Sequence, residues 1–329
     1  MALDPVIILA GPTASGKSDL GLELAKCCGG VIINADSLQV YRELRILTAR
    51  PDARSEAAVS HRLYGTVSAT ERFSVGEWLA LARREIDLVH EDGALPIFVG
   101  GSGLYIRSLV SGIAGIPKIT TAARLAATEL YGEIGESQFR ARLAERDPSV
   151  EARVQGGDKQ RLIRAWEVLV ATGKPISEWQ SGENLGGLKC PYFVITIMPQ
   201  RAKLYRSCDE RFETMLNAGA LDEVAILSRL GLDPSLPAMK ALGLRALTRY
   251  LKGDLSLDNA RQLACKATRN YAKRQNTWFR NQLTSHIEVE DPVVYKDEVI
   301  AAVTRFLLTA SCQRTSVPPF PATLGVGKS

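Results

Sequence analysis

Lys17 and Ser18 close an eight-residue run, Gly11-Pro12-Thr13-Ala14-Ser15-Gly16-Lys17-Ser18, that directly follows the apolar stretch Val6–Ala10. The spacing is G-x-x-x-x-G-K-[ST], the P-loop pattern, and it stands between an expected strand and an expected helix, where the pattern has meaning. Glycines near both ends let successive N–H groups turn inward as a nest for anionic oxygens. The N-terminus of the following helix adds partial positive charge. Lys17 is placed to reach an outer phosphate and Ser18 to ligate Mg²⁺. The expected ligand carries a diphosphate or triphosphate, ATP included.

Asp36 is the second candidate. Val31-Ile32-Ile33 reads as a strand that ends in Asn34-Ala35-Asp36-Ser37. In a sheet that already carries a P-loop, ligands gather at the carboxyl ends of strands. Asp36 is therefore read as a metal-side carboxylate or as a general base beside a bound electrophile. Capping of the turn is the bland alternative. The strand expected at 95–99 ends instead in Gly100-Gly101-Ser102-Gly103, without the acidic residue usual in nucleotide hydrolases.

A third feature lies near the C-terminus. Between Asn259 and Ile287 there is no acidic residue, while Arg261, Lys266, Arg269, Lys273, Arg274 and Arg280 all fall there. On a continuous helix, Lys266, Arg269, Lys273 and Arg280 share one narrow stripe. Leu263, Ala267, Tyr271 and Trp278 would form the packed arc. A solvated face normally mixes signs, so a stripe of one sign points to a phosphate backbone. Arg274 projects toward the apolar arc and is expected to meet a carboxylate or a bound phosphate.

The elements that must position these groups read as α/β. Strands are expected at 6–10, 31–33, 95–99 and 193–197, with helices at 18–28 and 75–90 between the first three. Strand–helix alternation predicts a parallel sheet covered on both faces. From about Thr120 the chain turns helical and charged. A helix at 160–172 has Leu162, Ile163, Trp166, Leu169 and Val170 on one face, and Gly173 and Pro175 stop it. The expected fold is α/β, a P-loop NTPase-like parallel-sheet core with an all-helical insertion domain. Residues 1–119 begin the core, 120–190 form the insert, 191–310 complete the core with the basic helix, and 311–329 form a disordered tail rich in Pro, Ser, Thr and Gly.

The bulk numbers fit this. The chain has 329 residues, 46% hydrophobic and 23% charged, with a net charge of +5. That is long enough for one large or two modest domains. No apolar run approaches the roughly 20 residues of a membrane span, and no secretory leader is expected. Six scattered cysteines without C-x-x-C, and three histidines, predict reduced thiols and no zinc site. A cytoplasmic protein is expected.

The motifs together resemble the tRNA dimethylallyltransferases, also called tRNA isopentenyltransferases, of bacterial type. The resemblance rests on GPTASGKS, on Asp36-Ser37-Leu38-Gln39-Val40-Tyr41 and on Gly100-Gly101-Ser102-Gly103-Leu104-Tyr105. It continues through Asp158-Lys159-Gln160-Arg161-Leu162-Ile163-Arg164-Ala165 and Asp209-Glu210-Arg211-Phe212. It ends at Lys273-Arg274-Gln275-Asn276-Thr277-Trp278-Phe279-Arg280. These segments cover about residues 6–285 in the family's order.

The resemblance implies transfer of a dimethylallyl group from its diphosphate to the exocyclic amine of the adenosine 3′-adjacent to the anticodon. Asp36 would be the base, with Lys17, Arg211 and Mg²⁺ on Ser18 serving the leaving diphosphate, and Ser102 orienting base or donor. Contacts with the tRNA anticodon stem-loop are implied for Asp36, Ser37, Leu38, Gln39, Ser102, Arg124 and Gln160 through Arg164. They are implied also for Lys240, Ala241, Leu242, Gly243, Leu244, Arg245 and Lys273 through Arg280. The implied enzyme works as a monomer, with no membrane partner. Departures are Leu47-Thr48-Ala49-Arg50-Pro51 against the family's G-T-A-K-P, Leu244 against its tyrosine, and Lys118-Ile119-Thr120-Thr121, which lacks its Asp. Competing readings are a P-loop small-molecule kinase, an isopentenyltransferase acting on free adenine nucleotides, and an RNA-binding protein whose P-loop is an anion switch.

Overall fold

The computed structural model describes residues 4–312 of the chain. Strand β1 (Val6–Ala10) is buried at every position, as a central parallel strand with both faces covered must be. The P-loop follows it and feeds α1 (Lys17–Cys28), which Gly29 ends at φ 62°. Next come β2 (Gly30–Asn34), the short α2 (Ala53–Ala58) and β3 (His61–Arg62). Helix α3 (Val75–Glu91) starts with a reciprocal capping box between Ser74 and Glu77. It is followed by β4 (Leu95–Gly100) and α4 (Gly103–Ser111).

The chain divides into two compact units, one formed up to Val110 and from Leu188 onward, the other by Ser111–Gly187. The second unit holds β5 (Ile113–Ala114), α5 (Thr121–Ala144), α6 (Pro148–Arg153), α7 (Lys159–Thr172), α8 (Ile176–Ser181) and β6 (Asn184–Leu185). Its core gathers Phe139, Leu143, Val150, Leu162, Ala165 and Val168. It is not all-helical, because β5 and β6 pair antiparallel where the segment begins and ends. The buried face of α7 also differs from expectation. Leu162, Ala165, Val168 and Leu169 are inside, while Val170 is exposed. Alanine contributes little to a hydrophobic pattern, so a face built partly on Ala165 is hard to see in the sequence.

The first unit resumes with β7 (Tyr192–Ile197), α9 (Arg201–Asn217) and α10 (Ala220–Arg229). Then follow α11 (Leu244–Leu251), α12 (Leu257–Gln282), β8 (Ile287–Val289) and α13 (Lys296–Cys312). The six strands of its sheet run in the order β3-β2-β4-β1-β7-β8, and every neighbouring pair is parallel. The P-loop thus leaves the middle of the sheet, and the Asp36 turn and the Gly100–Gly103 segment leave its two neighbours on one side at the same end. Helix α13 ends at Cys312, and the rest of the tail expected at 311–329 lies outside the described residues.

The basic helix α12 packs differently from the pattern reading. Its buried stripe is Ala260, Ala264, Thr268, Ala272, Gln275 and Phe279. Leu263 is 45% exposed instead of packed. Small residues let α12 approach α9 and α11 closely, and packing of that kind leaves little hydrophobic signal. Arg274 does not meet a carboxylate; it is exposed, with its guanidinium 5.8 Å from the Tyr271 ring centroid.

Candidate active site

The P-loop is shaped by two residues at positive φ, Ala14 at 60° and Gly16 at 82°. Gly16 caps α1 without any side-chain hydrogen bond, so the first N–H groups of the helix are left for an anion. Ser15 is buried and its Oγ has no partner. Lys17 is 9% exposed and donates to the Pro12 carbonyl at 3.1 Å. Burial, and then the neighbouring Arg211 cation, bring its pKa down from 10.5 to about 8, against a smaller opposing effect of Asp36. Burial likewise lowers Arg211, with Asp36 opposing. Two under-solvated cations side by side make a site in want of negative charge.

Gln275 joins α12 to this loop. It accepts from the Thr13 N–H at 2.9 Å and donates to the Gly101 carbonyl at 2.7 Å. The close fit explains the glycines that follow β4. A Cβ on Gly101 would stand 2.4 Å from Gln275 Nε2, and one on Gly100 would stand 2.1 Å from the Ala35 backbone. These glycines admit neighbouring protein.

Buried Asn34 builds the Asp36 turn. Its Oδ1 accepts from the Asp36 N–H at 2.8 Å, and its Nδ2 donates to the carbonyls of Asp36 at 3.0 Å and Leu63 at 3.1 Å. Trp78 Nε1 holds the Asn34 carbonyl at 3.0 Å. Asp36 Oδ1 accepts from the Leu38 N–H at 3.0 Å, so Asp36 does stabilise its own turn. It also lines a cavity of about 50 Å³ with Thr13, Leu38, Leu47, Phe212, Met215, Leu242, Arg211 and Tyr271. Turn and site are compatible, because one carboxylate offers about four lone-pair positions. Ser102 Oγ accepts from the Ser37 N–H at 2.8 Å and donates to Ser37 Oγ at 3.0 Å. Burial is the main cause that raises the pKa of the nearby Tyr271 hydroxyl, and Ser102 acts in the opposite direction.

Arg211 links the two halves. It reaches Thr13 Oγ1 at 3.4 Å and the Ala49 carbonyl at 3.5 Å. It lines both the Asp36 cavity and an open cleft of about 830 Å³ that runs along the P-loop past Lys17, Ser18, Arg45 and Arg50. The 45–50 segment beside it is anchored by one carboxylate. Glu223 accepts from the N–H groups of Arg45 at 2.8 Å, Ile46 at 2.6 Å and Leu47 at 2.9 Å. Gln39 Nε2 adds bonds to the carbonyls of Thr48 and Ala49 at 2.8 and 3.0 Å. No group of three or more acidic, histidine or cysteine side chains able to hold a metal occurs among the described residues. Exposed Ser18 and the uncommitted Ser15 hydroxyl suit a cation that arrives with a diphosphate and takes most of its ligands from phosphate and water.

The sequence-expected residues therefore sort into groups. Gly11–Ser18, Asp36, Ser102 and Arg211 converge in the first unit. Arg161, Lys273, Arg274, Arg280, Lys240 and Arg245 are exposed. Leu162, Ala241, Leu244, Gln275 and Phe279 are buried, and Gln39 and Gln275 spend their amides inside the protein. In the basic stripe, Arg269 is held by Asp209 at 2.6 Å; Arg261, on the same helix but outside the stripe, meets Asp258 at 3.1 Å and Glu213 at 3.4 Å. Asn34, Glu223 and Arg45 carry no motif of their own, and Tyr271, which reads in the sequence only as packing, lines the Asp36 cavity. An Asn two residues before Asp36 was the only local signal for any of them.

The geometry can be set beside known proteins. A profile of the IPP transferase family matches residues 39–282. The tRNA dimethylallyltransferase of Rhodospirillum centenum is 49% identical over 287 residues, 86% of this chain and 91% of its own length. That of Paramagnetospirillum magneticum is 43% identical over 310 residues, 93% of this chain and 98% of its own length. Among solved structures, the full-length tRNA isopentenylpyrophosphate transferase of Bacillus halodurans has a TM-score of 0.68 at 28% identity, covering 95% of this chain and 99% of its own. A eukaryotic dimethylallyltransferase acting on tRNA shares the fold, with a TM-score of 0.81 at 24% identity over 93% of this chain and 80% of its own. With a family profile across most of its length and relatives matched nearly end to end, the chain belongs to the IPP transferase family.

Proposed function

We propose that this protein transfers the dimethylallyl group of dimethylallyl diphosphate to the exocyclic amine of the adenosine 3′-adjacent to the anticodon in tRNA. One observation carries the reading. Arg211 and Thr13, on the leaving-group side, and Asp36, on the base side, line one cavity whose other walls are largely apolar. An allyl carbon seated there has a diphosphate site behind it and a proton acceptor ahead of it.

The residues then divide the work. P-loop N–H groups, Lys17 and Arg211 take up the charge that develops on the diphosphate as the allylic C–O bond breaks. The adenine nitrogen forms the new C–N bond with its lone pair, and Asp36 accepts the proton it sheds. Asn34 and the Ser102–Ser37 pair fix the turn that aims Asp36. Mg²⁺, held by Ser18 and phosphate oxygens, would supply further charge neutralisation for the leaving group. The target base leaves its stack to enter the site, at low cost in an anticodon loop. The exposed cations Arg161, Arg245, Lys273, Arg274 and Arg280 offer contacts to the stem-loop phosphates. Among the described residues no helix is long and apolar enough to cross a membrane, and we place the enzyme in the cytoplasm as a monomer.

A kinase reading uses the P-loop alone and leaves the apolar cavity at Asp36 without purpose. Diphosphate release separates the two. The reading predicts release of diphosphate that requires both dimethylallyl diphosphate and unmodified tRNA. Formation of ADP from ATP with a hydroxyl acceptor, and no diphosphate from the allylic donor with tRNA, would replace it.

A further inference from the structure

Glu167 is the most deeply buried acid of the helical unit apart from Asp147, at 2% exposure. Asp147 is spent on backbone N–H groups at the start of α6 and at Ser177. Glu167 instead binds two arginines. Arg124 of α5 donates through Nε to Oε2 at 3.1 Å and through Nη2 to Oε1 at 3.4 Å. Arg164, one turn before Glu167 on α7, donates through Nη1 to Oε1 at 2.6 Å. Both guanidiniums share Oε1, yet their side chains remain 39% and 38% exposed.

A single arginine would neutralise one buried carboxylate. The second leaves a surplus charge of one cation, held at the surface in a fixed place. Each guanidinium carries five N–H donors, and Glu167 takes two from Arg124 and one from Arg164. What remains is a close pair of planar donors, the arrangement that suits phosphate oxygens. Without the carboxylate, two like charges on flexible stems would spread apart.

We propose that Glu167 is a positioning residue for RNA binding, which clamps Arg124 and Arg164 into one site for a backbone phosphate. The proposal rests on the tRNA reading above. Glu167 itself touches no substrate, since its carboxylate is sealed beneath the two side chains.

The test uses the full chain and unmodified tRNA, reading Kd by fluorescence anisotropy alongside KM and kcat. Glu167→Gln is expected to raise the tRNA Kd and KM about tenfold, as for one lost charge-assisted hydrogen bond. The kcat at saturating tRNA and the donor KM stay near wild type. In an Arg124→Met/Arg164→Met background the same change is expected to leave tRNA affinity unaltered, because the groups it positions are gone. An unchanged Kd in the single variant, or an equal loss in that background, would overturn the proposal and leave Glu167 as a core staple. If Glu167→Gln does not fold, the arginine variants decide. Their losses are expected to be far from multiplicative, as for one shared phosphate, and fully multiplicative losses would contradict the clamp. Absence of tRNA-dependent turnover in wild type would sink the prenyl-transfer reading, while the binding arm would still decide the role of Glu167.

Discussion

Replacing Lys17 by methionine should make the protein more stable near neutral pH while removing its affinity for diphosphate. Lys17 is nearly buried, and its pKa falls from 10.5 to about 8 because burial and Arg211 oppose its charge. That difference corresponds to about 3 kcal/mol by which the folded state disfavours the charged side chain. The sign follows from proton uptake. Below pH 8 Lys17 is charged whether folded or unfolded, and the folded state carries the whole penalty. Between 8 and 10.5 the unfolded chain holds more protons, so stability rises with pH, and above 10.5 the penalty is gone. Methionine keeps the stem but loses the bond to the Pro12 carbonyl, which is worth about 1 kcal/mol. The variant should thus be about 2 kcal/mol more stable at pH 7 and about 1 kcal/mol less stable above pH 10.5. Urea denaturation of both proteins from pH 6.5 to 10.5 reads the difference directly. A Lys17→Met protein less stable than wild type at pH 7, or a difference that ignores pH, would refute the reasoning. Added inorganic diphosphate should raise the midpoint of wild type and not that of the variant.

Three further outcomes follow from the same geometry. Diphosphate affinity should fall about tenfold between pH 7 and 9 as Lys17 loses its proton, and Lys17→Arg, which stays charged, should not show that fall in isothermal titration. Asp36→Asn keeps an acceptor for the Leu38 N–H but cannot take a proton, so turnover should drop at least about a hundredfold, with tRNA affinity near wild type by filter binding. Gln275→Leu leaves the Thr13 N–H and the Gly101 carbonyl unpaired, which should cost about 2–4 kcal/mol in thermal or urea unfolding and weaken diphosphate binding; an unchanged affinity would show that the P-loop needs no support from α12.

Much of the site was legible because its key groups sit at strand ends, where an apolar run simply stops. Val6–Ala10 announces the P-loop, and Val31–Ile33 announces Asp36. The order of the strands was not legible, since nothing in β4 says that it enters between β1 and β2. Long-range partners were equally hidden. Gln275 belongs to a segment that suggests RNA, yet it meets Thr13, 262 residues away in sequence. Helix α12 shows why pattern alone misleads. Its cations suggested one outer stripe, but its inner face is mostly alanine, cysteine, threonine and glutamine, with Phe279 near its end, and Asp209 and Glu213 on α9 neutralise part of the charge. Arg211 entered only through family resemblance, and its place between P-loop and Asp36 needed the fold. The glycines after β4 stood out only as a strand end without an acid, and their close neighbours Ala35 and Gln275 needed the fold.

The chemistry itself is tested by product analysis. The protein is incubated with Mg²⁺, dimethylallyl diphosphate and unmodified tRNA, and the tRNA is then cut into oligonucleotides and nucleosides and weighed by mass spectrometry. The account predicts one dimethylallyl group per tRNA, on the amine of the adenosine 3′-adjacent to the anticodon, present with wild type and nearly absent with Asp36→Asn. Wild-type tRNA without prenylated adenosine, or full product from Asp36→Asn, would contradict it.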